Sequence, residues 1–143
     1  MRSLLAFLMV LLSLNTFAQK VVVDEDGFKT FTMVEGDTSF TMRQYFLVFL
    51  KEGKDRSQTP EEVEKIQVEH LAHINWMAEE GFICMAGPFG EGGDPTEIRG
   101  ILIFNVPSEE RARELANMDP AVKAGRLSVE IHPWWSARGS QLP

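Results

Sequence analysis

Two neighbouring stretches decide the fold: Tyr45-Phe46-Leu47-Val48-Phe49-Leu50, and then Thr59-Pro60-Glu61-Glu62. The first is a run of aromatic and branched residues, which reads as a strand buried on both faces. Lys51-Glu52-Gly53-Lys54 ends it. The second stretch opens a helix. Thr59 can cap it, Pro60 suits the first helical position because an N–H there would go unused, and Glu62 completes a capping box. The helix is expected to run to about Glu80, where Gly81 stops it. At about 100° per residue, Val63, Ile66, His70, Ile74 and Met77 share one face, and that face packs on a sheet.

Downstream, Phe82 to Ala86 reads as the next strand, Gly87 to Gly93 as a glycine-rich loop, and Gly100-Ile101-Leu102-Ile103-Phe104-Asn105 as a further apolar strand. Ser108-Glu109-Glu110-Arg111 opens a second helix that ends near Met118, because Asp119-Pro120 breaks it. A turn through Gly125 leads to a last strand from Leu127 to His132. The order strand, helix, strand, strand, helix, strand is that of an α+β, ferredoxin-like split βαβ sandwich. Upstream, Phe28 to Val34 and Thr38 to Met42 alternate apolar and polar residues around a turn at Glu35-Gly36-Asp37. They read as an extra hairpin, or as a strand and arm added to the core.

With 143 residues the chain has room for one domain with a core of its own, not two. Composition is that of a folded globular protein, 44% hydrophobic and 24% charged. The formal net charge is -7, from 14 Lys+Arg and 21 Asp+Glu. Such an acidic surface opposes a phosphate backbone, so nucleic acid is not an expected partner. The basic residues form no polybasic run for an anionic membrane.

The first residues stand apart. Met1-Arg2 is a short positive start, Ser3 to Leu14 is almost continuously apolar, and Asn15-Thr16-Phe17-Ala18 ends on a small residue. This is the order of a secretory signal peptide, with Ala18 the last residue removed. The run falls short of the roughly 20 residues that span a bilayer. The expectation is therefore a periplasmic or secreted protein, with no stable membrane anchoring after cleavage. The chain divides into a signal peptide (1–18), an N-terminal extension (19–43), the main domain (44–135) and a C-terminal tail (136–143).

Few side chains carry chemistry. Cys84 is the single cysteine and lies in an apolar run, Phe82-Ile83-Cys84-Met85-Ala86, so it reads first as a packed thiol. His70 is more informative, because it occupies the middle of an apolar helix face where a leucine would serve packing. A half-buried imidazole needs partners for its ring nitrogens. The ordinary reading is a structural histidine satisfied by neighbours; the functional one is an acid or base. His73 lies one turn along, but no further ligand has metal-site spacing, so no metal is expected and His73 reads as a rim or solvent-facing residue. Asp119 either simply stops a helix or supplies a carboxylate to an imidazole, fixing its tautomer and leaving the other nitrogen to move a proton. The glycine-rich loop lacks the Lys-Ser/Thr ending of a phosphate loop and reads as a mobile connection or a lid. Trp134 and Trp135 read as packing at a core edge or subunit interface first, and as a pocket wall second.

Several pieces in order resemble the YCII-related domain family: His70-Leu71-Ala72-His73, Glu80-Gly81, Ala86-Gly87-Pro88-Phe89, Arg99-Gly100-Ile101, Asp119-Pro120-Ala121-Val122-Lys123-Ala124-Gly125, and Ile131-His132-Pro133-Trp134-Trp135. The resemblance spans about Tyr45 to Trp135. It implies a ferredoxin-like fold that dimerises face to face as a dimeric α/β barrel. It also implies a catalytic His/Asp pair at His70 and Asp119. His73, Phe89, Arg99 and Trp134 are the candidate substrate-binding residues, with Phe89 and Trp134 as aromatic walls of a pocket. The expected activity is cofactor-free proton transfer or elimination on a small organic substrate, ring compounds included. The alternative is a non-catalytic homodimer that holds a small ligand.

Overall fold

The alternating run at Thr38–Met42 and the apolar run at Tyr45–Leu50 are two halves of one fifteen-residue strand. The computed structural model describes residues 19–90 and 97–142. The expected signal peptide, residues 1–18, and residues 91–94 of the glycine-rich loop lie outside them. In chain order the elements are β1 (Val22–Val23), β2 (Lys29–Glu35), β3 (Thr38–Glu52), α1 (Pro60–Glu79), β4 (Ile83–Pro88), β5 (Ile98–Phe104), α2 (Glu109–Asn117), α3 (Pro120–Lys123) and β6 (Leu127–Ala137).

The long strand β3 organises the sheet. One of its edges pairs with β6 over its length from Met42 to Glu52. Its other edge is shared, with β2 along Thr38–Arg43 and β5 along Phe46–Lys51. Strand β4 pairs outside β5. All of these pairings are antiparallel, so the central order is β4-β5-β3-β6. With α1 after β3 and α2 after β5, this is the ferredoxin-like α+β arrangement. The N-terminal segment forms the β2–β3 hairpin, turned at Gly36, whose φ of 58° is the left-handed conformation glycine tolerates. Arg43 ties the hairpin to the domain. Its guanidinium lies 3.5 Å from the Phe28 ring centre and donates to Asn105 Oδ1 at 3.2 Å.

One face of the sheet carries the core. Phe46, Val48 and Leu50 of β3, with Leu102 and Phe104 of β5, are buried against Met77 of α1 and Ala112, Leu115 and Ala116 of α2. Each large side chain taken fully from water contributes about 1.5–3 kcal/mol. Helix α1 begins as its sequence dictates. Thr59 Oγ1 accepts the Glu62 N–H, and the Glu62 carboxylate accepts the Thr59 N–H at 2.7 Å. Gly81, at φ 75°, follows its end. The last strand continues past His132 through Pro133 to Ala137, farther than expected. Proline is tolerated because, among the described residues, β6 pairs with β3 alone and so is an edge strand. The segment after Asp119, read as a plain turn, includes the four-residue helix α3.

Two β-bulges interrupt the pairing. In β4, Ile83 pairs with Phe104 and Met85 with Ile103, which leaves Cys84 as the extra residue. The bulge carries Cys84 out of the core, so the packed thiol expected from its apolar run keeps solvent access. In β5, Gly100 pairs with Leu50 and Ile98 with Lys51, which leaves Arg99 extra. Among the described residues no helix is long and apolar enough to cross a membrane.

Candidate active site

The apolar face of α1 is unevenly buried, and this locates a cavity. Met77 is fully buried, whereas Val63, Ile66 and Ile74 are only partly covered. Beneath the first half of the helix the sheet does not close against it, leaving a cavity of about 650 Å³. Its walls come from Val63, Ile66 and Ile74 above, Leu50 and Leu102 of the sheet below, and Gly87, Pro88 and Gly100 at one side. Gly100 sits close against β4. A side chain there would meet the Gly87 carbonyl oxygen at 2.7 Å.

His70 reaches this cavity from the middle of α1 and is 8% exposed. Its Nδ1 lies 2.6 Å from Asp119 Oδ2, and Asp119 is 2% exposed. The other carboxylate oxygen, Oδ1, accepts the Ala121 N–H at 2.8 Å and so caps α3. Pro120 at the start of α3 fixes the chain direction just after the carboxylate. An ionised Asp119 offers both oxygens as acceptors, and it then favours the ring tautomer with its hydrogen on Nδ1, facing Oδ2. In that tautomer the lone pair belongs to Nε2, which bonds to none of the described residues. A histidine among leucine and isoleucine thus has one nitrogen anchored and one available.

The charged rim comes from separate parts of the chain. Glu52 at the end of β3 holds two guanidinium groups, Arg56 at 3.0 Å and Arg99 in close contact. In a regular strand Arg99 would point with Ile101 away from the helices; the β5 bulge turns it to the cavity side. Arg126 Nη1 donates to Gln58 Oε1 at 3.1 Å, and Gln58 Nε2 donates to the Ala124 carbonyl at 3.0 Å. Asp55 lies nearby with its carboxyl held below the usual range, chiefly by hydrogen bonds from Ser57 and in smaller part by the charge of Arg126.

The structure thus brings His70, Asp119 and Arg99 to one region and places the other sequence candidates elsewhere. His73 faces away from the cavity, with Nε2 2.9 Å from the Leu115 carbonyl oxygen and its ring beside Trp76. Its position three residues after His70 rotates it toward α2, where it joins two helices. Phe89 follows β4, is exposed, and does not line the cavity. Trp134 pairs with Tyr45 in register and lies against its ring on the opposite face of the sheet, so it cannot wall the cavity beside His70. The sequence reading missed Glu52, Arg56, Gln58 and Arg126. Glu52 looked like the polar end of a strand, and the others have no periodic signal. Among the described residues no group of three His, Cys, Asp or Glu side chains could hold a metal ion.

An α+β domain with a buried imidazole–carboxylate pair beside a cavity is the class that fold and site define. The YCII-related domain profile matches residues 45–135, and the chain belongs to that family. Among solved structures, it is similar to the 5-chloro-2-hydroxyhydroquinone dehydrochlorinase of Burkholderia phenoliruptrix AC1100, in complex with 2,5-dihydroxybenzoquinone. That similarity has a TM-score of 0.43 at 23% identity and covers 63% of this chain and 92% of that one. No curated protein matches the chain.

Proposed function

We propose that the domain is a small-molecule enzyme that moves protons with His70. The observation that carries this is the 2.6 Å contact of His70 Nδ1 with buried Asp119, which leaves Nε2 for the cavity. A substrate in the cavity would present a C–H bond next to an electron-withdrawing group. Nε2 takes the proton, and the C–H electron pair forms a new double bond. In an elimination a leaving group departs with its own electron pair; in an isomerisation the imidazolium returns the proton to another carbon. Asp119 positions the ring throughout and stabilises the imidazolium.

The experiment is a screen of small hydroxylated and halogenated ring compounds and substituted acids, read by deuterium incorporation from D2O and by halide release. For any compound turned over, His70→Ala is expected to lower kcat/KM by about 10²–10⁴-fold without loss of fold. Turnover at the wild-type rate by folded His70→Ala would remove the role. A bound compound recovered unchanged after long incubation would favour a holding function instead.

Two further parts belong to the same proposal. The sheet face away from the helices exposes or half-exposes Leu47, Phe49, Ile101 and Trp134, an apolar set suited to a second copy of the chain. Sedimentation at micromolar concentration is expected to show a dimer that Leu47→Asp converts to monomer; a wild-type monomer would contradict this. The apolar start of the chain supports export to the periplasm or beyond. N-terminal sequencing of the mature protein from its native host tests it, and a first residue of Gln19 is expected.

A further inference from the structure

Among the described residues, the side chains that line the cavity carry a charge opposite to that of the molecule. The chain as a whole is acidic, at -7. Yet among the described residues the ionisable side chains lining the cavity, besides His70, are Glu52, Arg56, Arg99 and Arg126. Three guanidinium groups face one carboxylate. Glu52 contacts two of them, Arg56 and Arg99. Arg126 is different: among the described residues its side-chain partner is the neutral amide of Gln58, and no carboxylate lies within ion-pair distance. Asp55, the nearby acid, accepts the hydroxyl and N–H of Ser57 on Oδ1 at 2.7 and 2.9 Å, and it feels the Arg126 charge without forming an ion pair with it. Gln58 is itself anchored to the Ala124 carbonyl, so the Arg126 guanidinium is braced. Arg99 reaches the same rim only because β5 contains an extra residue there.

A braced guanidinium fork that forms no ion pair with a carboxylate among the described residues matches the planar geometry of a carboxylate ligand. We propose that the cavity binds a small organic carboxylate, its carboxylate on Arg126 with Arg99 and Arg56 adding positive potential, and its uncharged part under Val63 and Ile66 beside His70. The inference rests on reading this cavity as the substrate site, and it names the substrate class. Beyond affinity, the same charge serves the proposed chemistry. A cationic rim favours the negative charge that develops on a substrate as Nε2 removes a proton.

The probes are benzoate and its neutral isostere benzamide, titrated calorimetrically into the full chain at neutral pH and low salt. Benzoate is expected to bind saturably, and at least about tenfold more tightly than benzamide, as loss of one charge-assisted pair implies. Arg126→Gln is expected to remove that preference. Arg126→Lys, which keeps charge but not the fork, should retain part of it. Arg113→Gln, on the exposed side of α2, should bind as wild type does. Amide spectra confirm folding of each variant, and the Gly100 amide signal should move on benzoate addition. Equal affinity for the two probes, binding of neither, or full benzoate preference in folded Arg126→Gln overturns the proposal. His70 is tested separately: a His70→Ala protein that keeps benzoate binding and wild-type turnover removes the proton-transfer role but leaves the anion site standing.

Discussion

At Asp119 one carboxylate serves two neighbours, the Ala121 N–H and the His70 ring. Each bond depends on the other. The helix start fixes the carboxylate, and the fixed carboxylate chooses which ring nitrogen carries hydrogen. In the sequence Asp119-Pro120 looked like a helix stop and His70 like a misplaced polar residue. Both descriptions are true of the local chain. Their meeting joins residues 49 positions apart, which no local pattern encodes; the family resemblance, not periodicity, suggested the pair. Cys84 shows the converse. Its apolar run suggested packing, but the bulge leaves it solvent-accessible with its sulfur 3.5 Å from the Ile103 carbonyl oxygen. Crowding by surrounding protein atoms pushes the thiol pKa up. A raised pKa means less thiolate at neutral pH, so access alone does not make it reactive. Iodoacetamide at pH 7.5 is expected to alkylate Cys84 more slowly than free cysteine, with the rate climbing as pH rises past the ordinary thiol range. Alkylation as fast as free cysteine would show that the thiol is not raised.

At the scale of elements, α1 was legible almost to the residue, because capping box, proline and terminal glycine are all local signals. The strands were legible as apolar runs, but their ends were not. The alternation of Thr38–Met42 and the apolar run of Tyr45–Leu50 differ because the first half of β3 pairs with an outlying hairpin and the second half lies in the core. The bulges were invisible, since one extra residue does not alter composition, and with them went the reason that Arg99 reaches the cavity rim. A second close approach holds that rim. The Gly53 N–H donates to the Arg126 carbonyl at 2.8 Å, and the Asp55 N–H donates to that of Gly125 at 3.1 Å. A Cβ on Gly53 would overlap the Gly125 carbonyl, so the two segments would have to separate. Gly53→Ala is expected to destabilise the domain by about 2 kcal/mol, as overpacking at a rigid contact does. Gly87→Ala, where a Cβ meets open space, should stay within about 0.5 kcal/mol of wild type in denaturant unfolding. Equal stability of the two variants would contradict the close packing at Gly53.

Across the whole molecule, the ferredoxin-like order follows from six elements that the sequence marks, and the antiparallel sheet assembles around one long strand. Its two faces differ. The helix side holds the core, the cavity and the His70–Asp119 pair; the other side holds Trp134 over Tyr45 and the apolar residues proposed to meet a second copy. Trp134 was expected near His70 because both belong to the family's pattern, but strand alternation places it across the sheet. The arginine rim is a product of the tertiary fold, assembled from the ends of β3 and β6, the β5 bulge and the segment before α1. The proposed chemistry depends on the tautomer of one imidazole. The most direct measurement is a long-range ¹H–¹⁵N spectrum of histidine-labelled protein, taken under conditions where the His70 ring is neutral, for wild type and Asp119→Asn. In wild type the hydrogen is expected on Nδ1, with Nε2 bare. Asparagine can donate to Nδ1, so the variant should shift the hydrogen to Nε2 and lose about 10²–10⁴-fold in any turnover found. Hydrogen on Nε2 in the wild-type protein would contradict the assignment of His70 as a base anchored by Asp119.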